Sequence, residues 1–164
     1  MSTVANSSAQ VLTLNSRRVV AERTMAFEFT KPIGFEFKAG QFVEITWTDP
    51  PETDAEGNAR VFSIASAPYE DRLTFTTRLR DTAFKRVLQD THIGSFAKID
   101  GPFGDLTLHN NVSRPAILLA GGIGITPFRS MIRHAAHEKL PHKLYLFYAN
   151  RHQEDAPFLN GFGN

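Results

Sequence analysis

Short apolar runs of strand character, each bounded by turn residues, fill the first two thirds of the chain. They are RVVAE at 18–22, MAFEF at 25–29, FVEITW at 42–47, VFSIAS at 61–66 and LTFTTR at 73–78. In FVEITW and LTFTTR apolar and polar positions partly alternate, as they do when one strand face meets a core and the other meets solvent or a ligand. Breaks at Pro32, Gly34, Gly40, Pro50, Pro51 and Pro68 separate the runs. The spacing predicts a closed or nearly closed antiparallel β-barrel over residues 11–111. A short helix is expected after Asp81 or Thr82, either of which can cap its free amides, with Phe84, Val87 and Leu88 on one face.

Near Ser113 the texture changes. A continuous apolar run, PAILLA, leads into a glycine-rich turn and then into PFRSMIRHAAHEK, with Phe128, Met131, Ile132, Ala135 and Ala136 at helical spacing. Pro141 stops that helix, and KLYLFYA at 143–149 reads as a second buried strand. Residues 112–164 are therefore expected to form a parallel βαβ lobe, an α/β unit with too few strands and helices to cover both of its own faces. It reads as an unfinished lobe.

Between these elements, residues 48–59, TDPPETDAEGNA, carry no apolar periodicity and read as a loop in water. Residues 1–10 are small and polar and read as a flexible tail. They have neither the basic nor the apolar region of a secretory signal. No apolar stretch reaches the roughly 20 residues a membrane span needs, so a cytoplasmic protein without membrane insertion is the simplest expectation.

Charge and composition narrow the chemistry. Eighteen basic and 17 acidic residues leave a formal net charge of +1, so no global field favours nucleic acid or an anionic membrane. The chain has no cysteine, which excludes disulfides, a thiolate nucleophile and cysteine-ligated iron-sulfur clusters. His134 and His137 lie three apart on the second helix, but no third ligand converges on them, and no metal site is expected.

Three constellations remain. In AGGIGITPFRS a buried strand meets Gly121, Gly122 and Gly124 and then a helix with Thr126 as N-cap and Pro127 at its first position. Free amides and the helix dipole at such a terminus suit a nucleotide pyrophosphate. The spacing differs from GxGxxG, and a tight strand-to-helix turn needs no ligand, so spacing alone leaves both readings open. In Arg60-Val61-Phe62-Ser63, strand alternation puts Arg60 and Phe62 on one face, which suits an anionic, flat ligand; a surface ion pair beside a core ring is the competing reading. In residues 78–85, Arg78, Arg80 and Lys85 surround a helix start that can hold phosphate or can simply be capped and solvated.

The order of RVFS, TTRLRDTAFKRVL, GPFGDLTL, LLAGGIGITPFRSM and LFYANRHQEDAPF resembles the ferredoxin-NADP reductase-like flavoprotein reductases from about Val11 to Leu159. The resemblance implies FAD on the barrel. Arg60, Val61, Phe62 and Ser63 would form the cofactor strand, with Arg60 on the pyrophosphate, Phe62 against the isoalloxazine and Ser63 near flavin N5. Thr77 and Arg78 would line the flavin, and the amides near Ala83, Phe84 and Lys85 would meet the pyrophosphate. Gly121, Gly122, Gly124 and Thr126 would receive NAD(P)H, with Ser63 and Thr126 beside the reacting atoms as the catalytic pair.

Hydride would then pass from nicotinamide C4 to flavin N5, and electrons onward to a separate protein or small-molecule acceptor. The family often has tyrosine where this chain has Phe62, so a phenolic hydrogen bond is lost and the ring retained. Its members normally continue beyond the second parallel strand, so a C-terminally truncated chain is expected. Two alternatives follow from that: an FAD-binding module without independent turnover, and a cofactor-free homodimer joined through the incomplete lobe. Arg151 is a candidate for the 2′-phosphate of NADPH, with NADH versus NADPH open.

Overall fold

The computed structural model describes residues 10–161. The expected tail therefore lies outside the described residues up to position 9, and Gln10 already belongs to a strand. Six strands form one antiparallel sheet: β1 (Gln10–Ala21), β2 (Thr24–Thr30), β3 (Phe42–Trp47), β4 (Ala59–Ser63), β5 (Arg72–Arg78) and β6 (Phe96–Phe103). Their order is β4-β3-β6-β1-β2-β5. The two edge strands approach each other where residues 64–66 leave β4. Ala65 N–H donates to Thr74 O at 2.8 Å, and Thr74 N–H to Ser66 Oγ at 3.0 Å. The barrel is thus nearly closed, by a few bonds rather than a full ladder.

Two stretches differ from the hydrophobic pattern. β1 begins eight residues before RVVAE because its first half, although mixed in polarity, pairs with β6 from Gln10↔Ile99 to Thr13↔Phe96, while its second half pairs with β2. β6 contains Gly101-Pro102, which reads as a turn. Gly101 holds a φ of 132° inside the strand, and β6 carries one extra residue there, opposite the register shift between Phe42 and Glu44 of β3.

The barrel core is dominated by aromatic rings. Phe27, Phe29, Phe75 and Phe84 are among its largest fully buried side chains, and Phe29 meets Phe75 edge-on at 5.8 Å. Helix α1 (Ala83–Asp90) closes one end by burying Ala83, Phe84, Val87 and Leu88, the face expected from spacing. Its cap differs from expectation. Thr82 occupies the N-cap position but makes no side-chain cap bond, and Asp81 pairs with Arg86. The Ala83 amide is instead taken by Asp54 from the distant 48–58 loop, at 2.9 Å.

A smaller lobe follows, made of β7 (Ala116–Gly121), helix α2 (Ile125–His137) and β8 (Leu144–Ala149), with β7 parallel to β8. Alternation in both strands leaves Ile117, Leu119, Tyr145 and Phe147 exposed on one sheet face. Helix α2 packs on the other, burying Met131 and Ala135 while Ala136 faces solvent. It also docks onto the barrel. Ser130 Oγ donates to Ser66 O and Arg129 Nη1 to Ala65 O, both at 2.6 Å, and Arg133 pairs with Glu70 at 3.0 Å. None of the helices described is long and apolar enough to cross a membrane.

Candidate functional site: a basic crevice between barrel and lobe

Parallel strands leave their carboxyl ends open, and here the ends of β7 and β8 form one wall of a crevice of about 550 Å³. The barrel supplies Arg78 and Arg80 to it, and the loop after β8 supplies Arg151. Gly121 and Gly122 form the floor. Gly122 has a φ of 49°, and a Cβ there would lie 3.7 Å from Arg78 Nη2, so a side chain would be strained and would narrow the opening.

Residues Gly122–Gly124 form a 3₁₀ turn, which moves the start of α2 forward to Ile125 with Gly124 at its N-cap. Thr126 is therefore inside the first turn and not the cap expected from sequence. It is 6% exposed, and its hydroxyl donates to Ile123 O at 3.1 Å. A residue that sequence reasoning passed over holds this turn from behind. The Tyr148 hydroxyl lies 3.1 Å from both Gly122 O and Pro157 O, and burial pushes its pKa up to about 12. Nothing in a strand reading of KLYLFYA marks that tyrosine, because its role comes from the register Ala120↔Tyr148.

From Arg78 a line of cations continues along the barrel end. Lys85 Nζ donates to Arg78 O at 2.7 Å, and burial, then Arg80 and Arg60, lower the Lys85 pKa. The Arg60 guanidinium carbon stands 5.2 Å over the Phe84 ring. The structure thus brings Arg60, Arg78, Ala83, Phe84 and Lys85 to one end of the barrel. Thr77 is buried on β5 next to them.

Strand alternation in β4 holds, with a consequence for the flat-ligand reading. Phe62 is 8% exposed, with ring centroids 6.1 Å from Phe75 and 5.9 Å from Phe84, so its ring is part of the core. Val61, 59% exposed, and half-buried Ser63 make up the outer face of the strand. Arg60, on the Phe62 side, emerges at the barrel end.

The donors at that end already hold anions from the chain itself. Arg60 Nη2 lies 2.8 Å from Glu56 Oε2 and 3.4 Å from Asp54 Oδ1, and Asp54 Oδ2 accepts from the Ala83 amide. That amide contact is the main cause of a lowered Asp54 pKa. A carboxylate seated between an arginine and a helix amide shows that the donor set fits an oxyanion, and pyrophosphate oxygens have the same chemistry. Among the described residues no group of three or more His, Asp or Glu side chains is placed to hold a metal.

Residues 118–160 match the oxidoreductase NAD-binding domain family model. The chain is 30% identical over 135 residues to the reductase component of propane 2-monooxygenase from Gordonia sp. (strain TY-5), covering 80% of this chain and 37% of that protein. A solved phthalate dioxygenase reductase, described as a modular structure for electron transfer from pyridine nucleotides to 2Fe-2S, superposes with a TM-score of 0.79 at 25% identity. That match covers 96% of this chain and 48% of the other. The ferredoxin-NADP+ reductase of Plasmodium falciparum shares the fold with a TM-score of 0.79 at 17% identity, over 96% of this chain and 64% of the other. The chain thus spans well under half of its curated relative and about half to two thirds of these structures.

Proposed function

The chain belongs to the ferredoxin-NADP reductase-like flavoprotein reductases, and from that premise we propose that it binds FAD at the barrel end and accepts hydride from NAD(P)H seated in the Arg78–Gly122 crevice. Electrons pass onward to a separate acceptor. The observation that carries this reading is the unbroken line of donors from Arg60 through Lys85 and Arg78 to Gly122 and Arg151, which runs from barrel to lobe and suits two pyrophosphates side by side.

In this reading Arg60 and the amides near Ala83, Phe84 and Lys85 hold the FAD pyrophosphate. The outer face of β4, with Val61 and Ser63, lies along the ring system, and Ser63 offers a hydroxyl near flavin N5. Phe62 backs the strand from the core. Thr77 and Arg78 bound the site on the β5 side. Gly121, Gly122 and Gly124 let the nicotinamide nucleotide approach the turn, and Thr126, by bracing Ile123, keeps that turn against the flavin edge. Bound FAD supplies the redox chemistry, accepting hydride and releasing electrons. The protein's share is alignment and exclusion of water.

Mixing the FAD-loaded protein anaerobically with NADH or NADPH should bleach the flavin absorbance. Retention of FAD with no bleaching by either nucleotide would favour the second reading, an FAD-binding module without its own turnover. The exposed apolar face of Ile117, Leu119, Tyr145 and Phe147 favours that alternative, since a lobe with an uncovered face is one that another surface completes. A second copy of this chain is one such surface, and light scattering over a concentration series detects it.

A further inference from the structure

The 48–58 loop looks featureless in sequence, yet all three acids of its 52–56 segment are engaged at the start of helix α1. Glu52 grips Arg86 with both oxygens, at 2.9 and 2.7 Å. Asp54 bridges the Ala83 amide and Arg60, and Glu56 takes the same guanidinium at 2.8 Å. Backbone carbonyls of Glu56, Gly57 and Ala59 accept from Arg60 Nη1 at 3.0, 3.0 and 2.7 Å, so the loop closes over this arginine from several sides.

We propose that this loop is a built-in competitor for the pyrophosphate cradle, an autoinhibitory contact in which Asp54 and Glu56 occupy the positions of phosphate oxygens until the dinucleotide displaces them. The inference rests on the FAD reading for the identity of the ligand and on the contacts above for the exchange.

The loop is constructed so that it can leave. No residue of 48–58 belongs to the buried apolar clusters, so its displacement takes no apolar side chain out of the core. Its hold is polar, and Glu56 is largely exposed, which keeps the ion pairs open to exchange with a ligand. Charge balance is conserved as well: a pyrophosphate that replaces two carboxylates leaves Arg60 and the Ala83 amide paired at every stage. A loop that only capped α1 would need Asp54 alone. The second carboxylate on Arg60 turns a cap into a cover.

The test compares the wild-type protein with D54N/E56Q, using inorganic pyrophosphate as probe and the Ala83 amide resonance as reporter. A loop closed about 90 to 99% of the time weakens apparent affinity about tenfold to a hundredfold, so the variant should bind pyrophosphate tighter by that factor. D81N controls for mere loss of negative charge, since Asp81 is highly exposed, adjoins the same helix and touches neither Arg60 nor Ala83. Equal affinity in wild type and D54N/E56Q overturns the proposal, and so does a D81N effect as large as that of the double variant. Should the double variant not fold, hydrogen exchange on the wild type decides. Amides 52–57 should exchange faster when pyrophosphate saturates the protein, and slower or unchanged exchange refutes displacement. A parallel FAD titration keeps the two ideas apart, because lack of FAD binding with the pyrophosphate effect intact sinks the flavin reading and leaves the loop mechanism standing.

Discussion

Arg60→Ala removes a side chain whose two terminal nitrogens make five hydrogen bonds, all to residues 54–59. Those partners are near in sequence and partly exposed, so their loss costs little in the fold. Exposed ion pairs contribute roughly 0.2 to 1 kcal/mol, and the guanidinium over Phe84 adds about 0.5 to 1 kcal/mol. Stability without ligand should fall by roughly 1 to 2 kcal/mol. Binding should suffer more. A charge-assisted contact to a phosphate contributes about 1.5 to 3 kcal/mol, so FAD affinity should drop roughly 10- to 150-fold. Asp54 keeps its bond to the Ala83 amide in the variant, but the loop loses its hold on Arg60, so a looser cover offsets part of the lost contact and the full loss is read in the D54N/E56Q background.

Flavin fluorescence titration gives the affinity, and a thermal melt without FAD gives the stability. Arg60→Lys sharpens the comparison, because it keeps the charge but not the planar fork, and should lose less affinity than alanine. A folded protein with Arg60→Ala added to D54N/E56Q that keeps the FAD affinity of D54N/E56Q would refute the pyrophosphate assignment.

Three further outcomes follow from the geometry. Arg151→Ala should raise the KM for NADPH more than that for NADH, and equal effects in steady-state kinetics would remove the 2′-phosphate role. Tyr148→Phe should destabilise by about 0.5 to 1.5 kcal/mol in denaturant unfolding, because the half-buried bonds to the Gly122 and Pro157 carbonyls lose their donor, and no change would mean that water replaces the hydroxyl. Glu52 and Asp54 both have pKa values held below the ordinary carboxylate values of 4.5 and 3.8, chiefly by Arg86 and by the Ala83 amide respectively. Lowered carboxylate pKa values add stability above those ordinary values and lose it as pH falls through the lower folded ones. Melting temperatures of the wild type should therefore decline below about pH 4.5, and those of D54N should decline less.

Much of the barrel is legible because its strands are half-buried and bounded by turn residues. β2, β3 and β5 lie where the alternation and breaks place them. β6 escapes because Gly101-Pro102 imitates a turn, and the first half of β1 because a central strand with a bulge need not alternate cleanly. In the site, Gly122 and Arg78 are readable as turn chemistry and charge. The position of Thr126 is not, since a 3₁₀ turn ahead of α2 places the helix start at Ile125, two residues before Pro127. Asp54 was beyond reach for another reason: its partner Ala83 is 29 residues away, and only the closed barrel brings a loop acid to that helix.

The two halves of the site owe their alignment to polar contacts that neither half contains alone. Ser130 and Arg129 on α2 spend their donors on the carbonyls of Ser66 and Ala65, at the point where β4 crosses to β5 and the barrel closes. Arg129 is buried enough there for its pKa to be lowered, and Glu70 opposes that burial with a carboxylate oxygen 3.8 Å away. A charge of this kind is costly to bury unless its partners are fixed, so it resists sliding of the lobe along the barrel. The glycine turn that begins α2 is thereby held opposite Arg78. Residues 65–70 and 129–133 thus help to fix the barrel-to-lobe geometry of the crevice, beside the apolar packing of Val20 and Ala26 against Ala120, Ile125 and Phe158.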